Sequence, residues 1–465
     1  MKHPFSLLTA FCGITICAVL SAGCSGIRSS SQSTLPALSE DFDNPESSSE
    51  EIPVITIDES NTPLPAPDAE SSSDNAVSDN SFFGYELSEE EKADPRTICK
   101  ETEEEGKAVL LFTGDVALDD NWSNMTALRG RKNGIHDTLS PELMLELNNA
   151  DICMINNEFP YSNRGTPTEG KKFTFRADPS RVEILQQMGV DIVSLANNHA
   201  YDFGPDALMD TFSTLESAGI AYVGAGRNLS EAMLPTYFIA GGQKIAFVSA
   251  TQIERYDPSD TKEATDSSPG VLRTLNPDKF LSVIERAEQN SDFVVVYVHW
   301  GSENTYDVEA SQHELADAYI DAGADLIIGD HSHCLQGFEY RNEVPVLYSL
   351  GNFWFNSKNL DTGMLKVTVS SGNIESIEFL PCLQHDCKTD LLLPGTDGEY
   401  ERILGVMAGL STDISISKDG FIQNGAGSGI EPVEPRPIVK RADTKPVTKD
   451  PTVPVISADE IIPTP

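Results

Sequence analysis

Between residues 107 and 385 the chain alternates short apolar runs with stretches of helical spacing. AVLLFTGD (108–115) is apolar until its last residues, the pattern of a buried strand. PELMLELNNA (141–150) opens on proline and carries its apolar residues at helical spacing, and DICMINNE (151–158) reads as the next strand. PSRVEILQQMG (179–189) predicts a helix, with proline near its start and glycine just past its end. A strand in DIVSLANNH (191–199), a helix in PDALMDTFSTLESAG (205–219) and a short strand in AYVGAG (221–226) follow. TYFIAGGQKIAFVSA (236–250) predicts a hairpin turning at Gly241-Gly242. An acidic surface loop (254–268) precedes a helix near 276–290 and the strand FVVVYVHWG (293–301). The helix ASQHELADAYIDAG (310–323) leads into the strand of ADLIIGDHSHCLQG (324–337), and VPVLYSLGNFWF (344–355), MLKVTVS (364–370) and IESIEFLPCL (374–383) add further strands. Strands separated by helices of this length predict an α/β fold of βαβ units, with helices covering both faces of a sheet.

The polar residues gather where the strands stop. The first run ends in Gly114-Asp115, the second in Asn156-Asn157-Glu158 and the third in Asn197-Asn198-His199. Later runs end in His299-Trp300-Gly301 and Asp330-His331-Ser332-His333. In α/β sheets the carboxyl ends of neighbouring strands share one edge, where ligands bind. That edge would gather carboxylates, amide oxygens and imidazoles, a donor set suited to Zn, Mn or Fe(II) rather than to a thiolate site. The number of donors suits two divalent ions sharing one carboxylate, a centre that binds phosphate oxygens and activates a nucleophile. Taken singly, each residue has a plainer use. Asp115 could cap a following segment, Asn197 and Asn198 could be turn residues, and His299 could be a satisfied core histidine. The coincidence of five strand ends outweighs these. His136, His313 and His385 have no such context and are expected elsewhere.

Composition sets the surroundings. The 465-residue chain has a formal net charge of −41, which argues against nucleic-acid binding because phosphates would be repelled. Residues 40–105 hold twenty-one Asp and Glu against three Lys and Arg, and are poor in aromatics. Residues 24–105 are therefore expected to be a disordered acidic tether spanning roughly 50 Å, with docking around FFGYEL (82–87) as the alternative. Residues 416–465 are expected to be a Pro-rich disordered tail, leaving 106–415 as the domain. Residues 1–23 read as a secretion signal, ending at Leu20-Ser21-Ala22-Gly23-Cys24. That ending resembles a bacterial lipobox, which implies lipidation of Cys24 and an extracytoplasmic, membrane-anchored domain; an uncleaved anchor is the alternative. Cys382 and Cys387 could pair in an oxidising compartment or remain thiols.

Together FTGDVAL, NNEFP, SLANNHAYDFG, VHWGSEN, LIIGDHSHCLQGFE and YSLGNFWF resemble the CapA family of bacterial capsule and poly-γ-glutamate synthesis proteins, over roughly 107–385. That family is similar in fold to calcineurin-like metallophosphoesterases, so the resemblance implies a layered metallophosphoesterase-like β-sheet core flanked by helices. It implies metal ligation by Asp115, Glu158, Asn198, His299, His331 and His333, with His199 as the catalytic histidine. Asp115 and His333 would serve one ion, Asn198, His299 and His331 the other, and Glu158 would bridge them. It also implies action on an anionic polymer or a phosphate-containing substrate, with membrane polymer-synthase subunits as partners. The first phosphoesterase motif is Asp-x-His, whereas Asp115 is followed by Val116 and Ala117. The site is thus one imidazole short unless Asp330, Glu303 or Asp202 completes it. Phosphoesterase activity, or a scaffold role without catalysis, are the competing functional expectations.

Overall fold

The computed structural model describes residues 81–82, 84–253, 261–395, 398–425, 427 and 429–438. The expected signal segment, Cys24, most of the acidic tether, loop residues 254–260 and residues 439–465 lie outside the described residues. Along the chain the strands that build the core are β1 (Thr97–Lys100), β2 (Lys107–Val116), β3 (Ile152–Asn157), β4 (Ile192–Ser194), β5 (Ala221–Val223), β6 (Thr236–Ala240) and β7 (Gln243–Thr251). They continue with β8 (Phe293–His299), β9 (Leu326–Asp330), β10 (Leu335–Arg341), β11 (Val344–Leu350), β12 (Asn352–Trp354), β13 (Leu360–Ser370), β14 (Asn373–His385) and β15 (Lys388–Leu391).

These strands form two sheets rather than the single sheet expected. One has the order β10-β11-β9-β8-β7-β6-β1, the other β15-β14-β13-β2-β3-β4-β5, with β12 paired to β2. Side chains alternate across each strand, and the two faces have different partners. Leu110, Phe112, Ile152, Met154 and Ile192 of the second sheet meet Phe247, Val295, Tyr297 and Ile328 of the first in one buried core. The intervening Leu111, Cys153 and Val193 instead face α1 (Pro141–Asn149), α2 (Val182–Gln187) and α3 (Pro205–Ala218). On the far side, Val294, Val296 and Val298 pack against α4 (Asp278–Glu288) and α5 (Ala310–Asp321). The result is a helix–sheet–sheet–helix sandwich, the layered β core flanked by helices. A strand apolar on both faces does not reveal whether its second cover is a helix or another sheet, which is why one sheet was expected. Each fully buried Leu or Phe of the inter-sheet core contributes about 1.5–3 kcal/mol.

Two expected boundaries differ. The domain begins before residue 106: β1 pairs in parallel with β6, and Lys244 Nζ lies 2.7 Å from Glu91 Oε1. Composition hid this, because a four-residue strand and the ion pairs Glu91–Lys244, Arg96–Glu231 and Lys100–Asp191 are enough to dock an otherwise acidic segment. The domain also extends past 415, since Val433 packs on Gly405 of α6 (Glu399–Leu410) and Arg436 Nη2 lies 2.6 Å from Glu399. The run at 344–355 is two strands: Gly351, with φ +71°, ends β11 in the first sheet and hands the chain to β12 in the second. Cys382 and Cys387 are both buried free thiols. Among the described residues no helix is long and apolar enough to cross a membrane.

Candidate metal centre

Strand register places the polar residues side by side. In the second sheet Asp115 pairs with Asn156 on one side and Asn352 on the other. In the first, His299 pairs with Asp330. The parallel strands of both sheets end at the same edge of the sandwich, so the two groups face each other across the end of the inter-sheet core. Asp115, Glu158, His299 and Asp330 are fully buried there.

The donors meet in overlapping sets. Asp115, Glu158 and His333 bring ligand atoms within 4.8 Å of one another, as do Glu158, His299 and His331, and Asp115, His299 and Asp330. Asp115 Oδ2 is 3.1 Å from His333 Nδ1. His299 Nε2 is 2.9 Å from both Asn198 Oδ1 and His331 Nδ1, and 3.9 Å from Glu158 Oε1. His299 Nδ1 lies 2.7 Å from Asp330 Oδ1, the carboxylate–imidazole pairing that turns the other ring nitrogen toward a metal. His331 and His333 reach the centre because the chain leaves β9 in a tight turn, with φ +89° and +57° at these two histidines. Such backbone costs of order 1 kcal/mol each for a residue other than glycine. Asn304 N donates to Ser332 O at 2.8 Å and helps to hold the turn.

The chemistry of the set fits a divalent cation. Glu158 Oε1 and Asp330 Oδ2 are buried and have no hydrogen-bond partner. Burial, with the Asp115 charge next, pushes Glu158 and Asp330 well above the usual carboxylate range. Burial takes His299 down to about 3, so its ring is neutral and its lone pair open. Carboxylate oxygens left unbonded in a buried pocket are costly, and a cation among them removes that cost.

His199 stands beside this cluster. Its Nε2 is 3.8 Å from Glu158 Oε1, and its Nδ1 is 2.6 Å from Asp202 Oδ2. Burial lowers its pKa while the Asp202 charge acts in the opposite direction. Phe175 covers the ring at a centroid distance of 4.5 Å. Asp202, weighed above as a spare metal ligand, is instead committed to His199 and to Lys171 Nζ, 2.5 Å away. Glu303 is exposed and belongs to none of the three ligand sets, although its charge reaches His333. The missing imidazole is not replaced in sequence, because Val116 and Ala117 are buried in the apolar core. His136 is exposed, His313 pairs with Tyr348 Oη at 2.6 Å and His385 with Asp390 at 2.8 Å; none belongs to the three ligand sets.

Sequence reasoning gave no role to Asn156, Asn352 or Lys171. Asn156 Nδ2 donates to Asp115 Oδ1 at 2.9 Å, and Asn352 Oδ1 lies 2.9 Å from His333 Nδ1. Asn156 sits at a strand end already singled out, and Asn352 in YSLGNFWF, a motif that carries the family resemblance, so those positions were the available signal. Lys171 comes from an irregular loop with no periodicity to mark it.

A family model described as bacterial capsule synthesis protein PGA_cap matches residues 109–357, more than half of the chain. The chain belongs to the PGA_cap family. Among curated relatives, it is 31% identical over 245 residues to the capsule biosynthesis protein CapA of Bacillus anthracis, covering 50% of this chain and 58% of the relative. It is 32% identical over 220 residues to the PGA biosynthesis protein CapA of Bacillus subtilis, covering 46% and 57%. A probable polyglutamine synthesis accessory protein of Mycobacterium tuberculosis is 29% identical over 255 residues, covering 51% and 67%. The chain thus spans somewhat more than half the length of the two Bacillus relatives. The PGA_cap region holds every residue of the centre, from Asp115 to Asn352.

Proposed function

We propose that this PGA_cap protein acts outside the cytoplasmic membrane, held there through a lipidated Cys24, in the synthesis, release or anchoring of an anionic capsule polymer of the poly-γ-glutamate type. Two divalent cations, of Mn, Zn or Fe, complete its centre. Asp115 and His333 would hold one, Asn198, His299 and His331 the other, with Glu158 available to both. At such a centre the cations supply Lewis acidity for attack on a phosphoryl or carbonyl group. The chain's own part is to orient and to move a proton. Asp330 fixes the His299 ring and Asp202 fixes His199, whose Nε2 takes up or returns the proton of the reacting group. Polymer-synthase subunits at the membrane are the natural partners of this activity, given relatives named for capsule biosynthesis and as a polyglutamine synthesis accessory protein.

The observation that carries the metal reading is Glu158 Oε1, buried without a hydrogen bond between His199 and His299. The test is metal analysis of the chain without its signal segment, wild type against Asp115→Ala and His333→Ala, with a panel of phosphate-ester and γ-glutamyl substrates on the same samples. Stoichiometry is expected to fall in both variants while the fold survives. Wild-type protein that takes up no divalent metal ends this reading. Turnover confined to simple phosphate esters replaces the polymer substrate with a phosphoesterase one.

A further inference from the structure

Lys171 is almost wholly buried: its side chain is 5% exposed and that of its partner Asp202 is not exposed at all. A buried ammonium is expensive unless every proton finds an acceptor. Here it finds two acceptors that flank His199 in sequence. Nζ lies 2.5 Å from Asp202 Oδ1 and also donates to the backbone carbonyl of Asn198. The same loop donates three times more to Asp202, from Thr168 N and Oγ1 to its carbonyl at 2.8 and 3.1 Å and from Phe175 N to Oδ2 at 2.7 Å. Asp202 Oδ2 in turn meets His199 Nδ1 at 2.6 Å.

We infer that Lys171 is a positioning residue that sets Asn198 and His199 together, through one ammonium group, for the centre described above; the inference rests on that centre being a metal site. Strand β4 ends at Ser194, so residues 197–202 have no sheet ladder to hold them. Within that turn Asn198 must present Oδ1 toward His299, and His199 must present Nε2 toward Glu158. Asn197 Nδ2 ties the start of the turn to Asn156 Oδ1 and the Asn157 carbonyl, whereas the Asn198 carbonyl and the Asp202 carboxylate, on either side of His199, are both gripped by Lys171. Asp202 accepting from His199 Nδ1–H leaves Nε2 bare and aimed at the cluster. The acidity of the site makes this buried cation consequential, because it neutralises a carboxylate beside Asp115, Glu158 and Asp330.

The experiment compares Mn²⁺ affinity, thermal midpoint and ¹⁵N-histidine spectra of the wild-type chain, Lys171→Met, Lys171→Gln and Lys171→Met/Asp202→Asn. Lys171→Met is expected to weaken Mn²⁺ binding about tenfold or more, the range seen when groups orienting metal ligands are removed. The double variant is expected to regain thermal stability, because no charge is left unpaired, without regaining affinity, because the Asn198 carbonyl still lacks its donor. In chelator-treated protein the wild-type His199 ring is expected to carry its proton on Nδ1 alone, and the Lys171→Met ring to show both tautomers. Should Lys171→Met fail to fold, Lys171→Gln, which keeps a donor on a shorter stem, is held to the same criteria. A folded variant with wild-type Mn²⁺ affinity overturns the assignment, as does a double variant that recovers affinity together with stability. If the wild type binds none of Mn²⁺, Zn²⁺ and Fe²⁺, the metal reading fails, and the His199 spectrum alone then decides: an unchanged tautomer in Lys171→Met overturns the role of Lys171.

Discussion

Asp115 Oδ2 and His333 Nδ1 are 218 positions apart in the chain and 3.1 Å apart in space. One residue ends a strand of the second sheet, and the other lies in the turn that follows a strand of the first. Their meeting is what a sandwich with all its parallel carboxyl ends at one edge makes possible.

That pair predicts a pH dependence. Burial opposes protonation of His333, but its hydrogen bond to Asp115 and the charges of Glu158, Asp115 and Glu303 outweigh burial and hold it up at about 9 in the cation-free protein. The folded value lies above the ordinary 6.5, so the protonated ring stabilises the cation-free fold fully below about pH 6.5 and loses that effect as pH rises through about 9. A metal ion competes with this proton. Apparent Mn²⁺ affinity should therefore climb between pH 6.5 and 9, and binding at pH 7 should release the His333 proton. Calorimetry in two buffers of different ionisation enthalpy reads the release, and His333→Gln should lower it by about one proton. Identical heats for wild type in both buffers would contradict the coupling.

Glu158→Gln should separate stability from binding. Removing a carboxylate that is buried beside Asp115 with one oxygen unbonded should raise the thermal midpoint in chelator, by the equivalent of about 1 kcal/mol. Metal affinity should fall at least about tenfold. Melting curves with EDTA and a Mn²⁺ titration check the two halves. A less stable variant with unchanged affinity would mean that Glu158 is a structural residue.

Gly114→Ala tests the seam between the sheets. A Cβ at Gly114 would lie 1.8 Å from the carbonyl oxygen of Gly351, which also accepts from Asp115 N at 2.9 Å. The obstacle is backbone and cannot swing away, so β2 must move, and Asp115 with it. The expected result is a loss of about 1–3 kcal/mol in denaturant unfolding, together with weaker metal binding. A stable variant with full metal content would show that the two strands separate freely.

Glu91→Ala probes the docked N-terminal segment. Burial alone would raise Glu91, but bonds from Lys244, Ser88 and Tyr85 prevail and bring it to about 2. This support is present above about pH 4.5 and is lost as pH falls through about 2. At neutral pH the substitution should cost about 1–2 kcal/mol and speed amide exchange in residues 97–100. Unaltered exchange there would mean that β1 holds itself in place.

Much of this was legible from apolar runs that stop at polar residues. Asp115, Glu158, His299 and the His331–His333 turn follow strand ends that periodicity marks, and the structure brings them together. Two sheets were not legible, because Leu110 and Leu111 are equally apolar although one faces a sheet and the other helices. Lys171 was not legible either, since an irregular loop gives no period and the partner Asp202 is close only after folding. The docked strand β1 was masked by the acids around it, whose charge dominates any window average.

The crossing at Gly351 has a wider consequence. Because one continuous segment leaves the first sheet and enters the second beside the centre, neither layer can shift without dragging ligands supplied by the other. The spacing between the two groups of donors is therefore gauged by the thickness of the apolar filling between the layers. Trimming a side chain deep in that filling, such as Phe112 or Phe247, should retune the centre from a distance, as a shim sets the gap of a caliper.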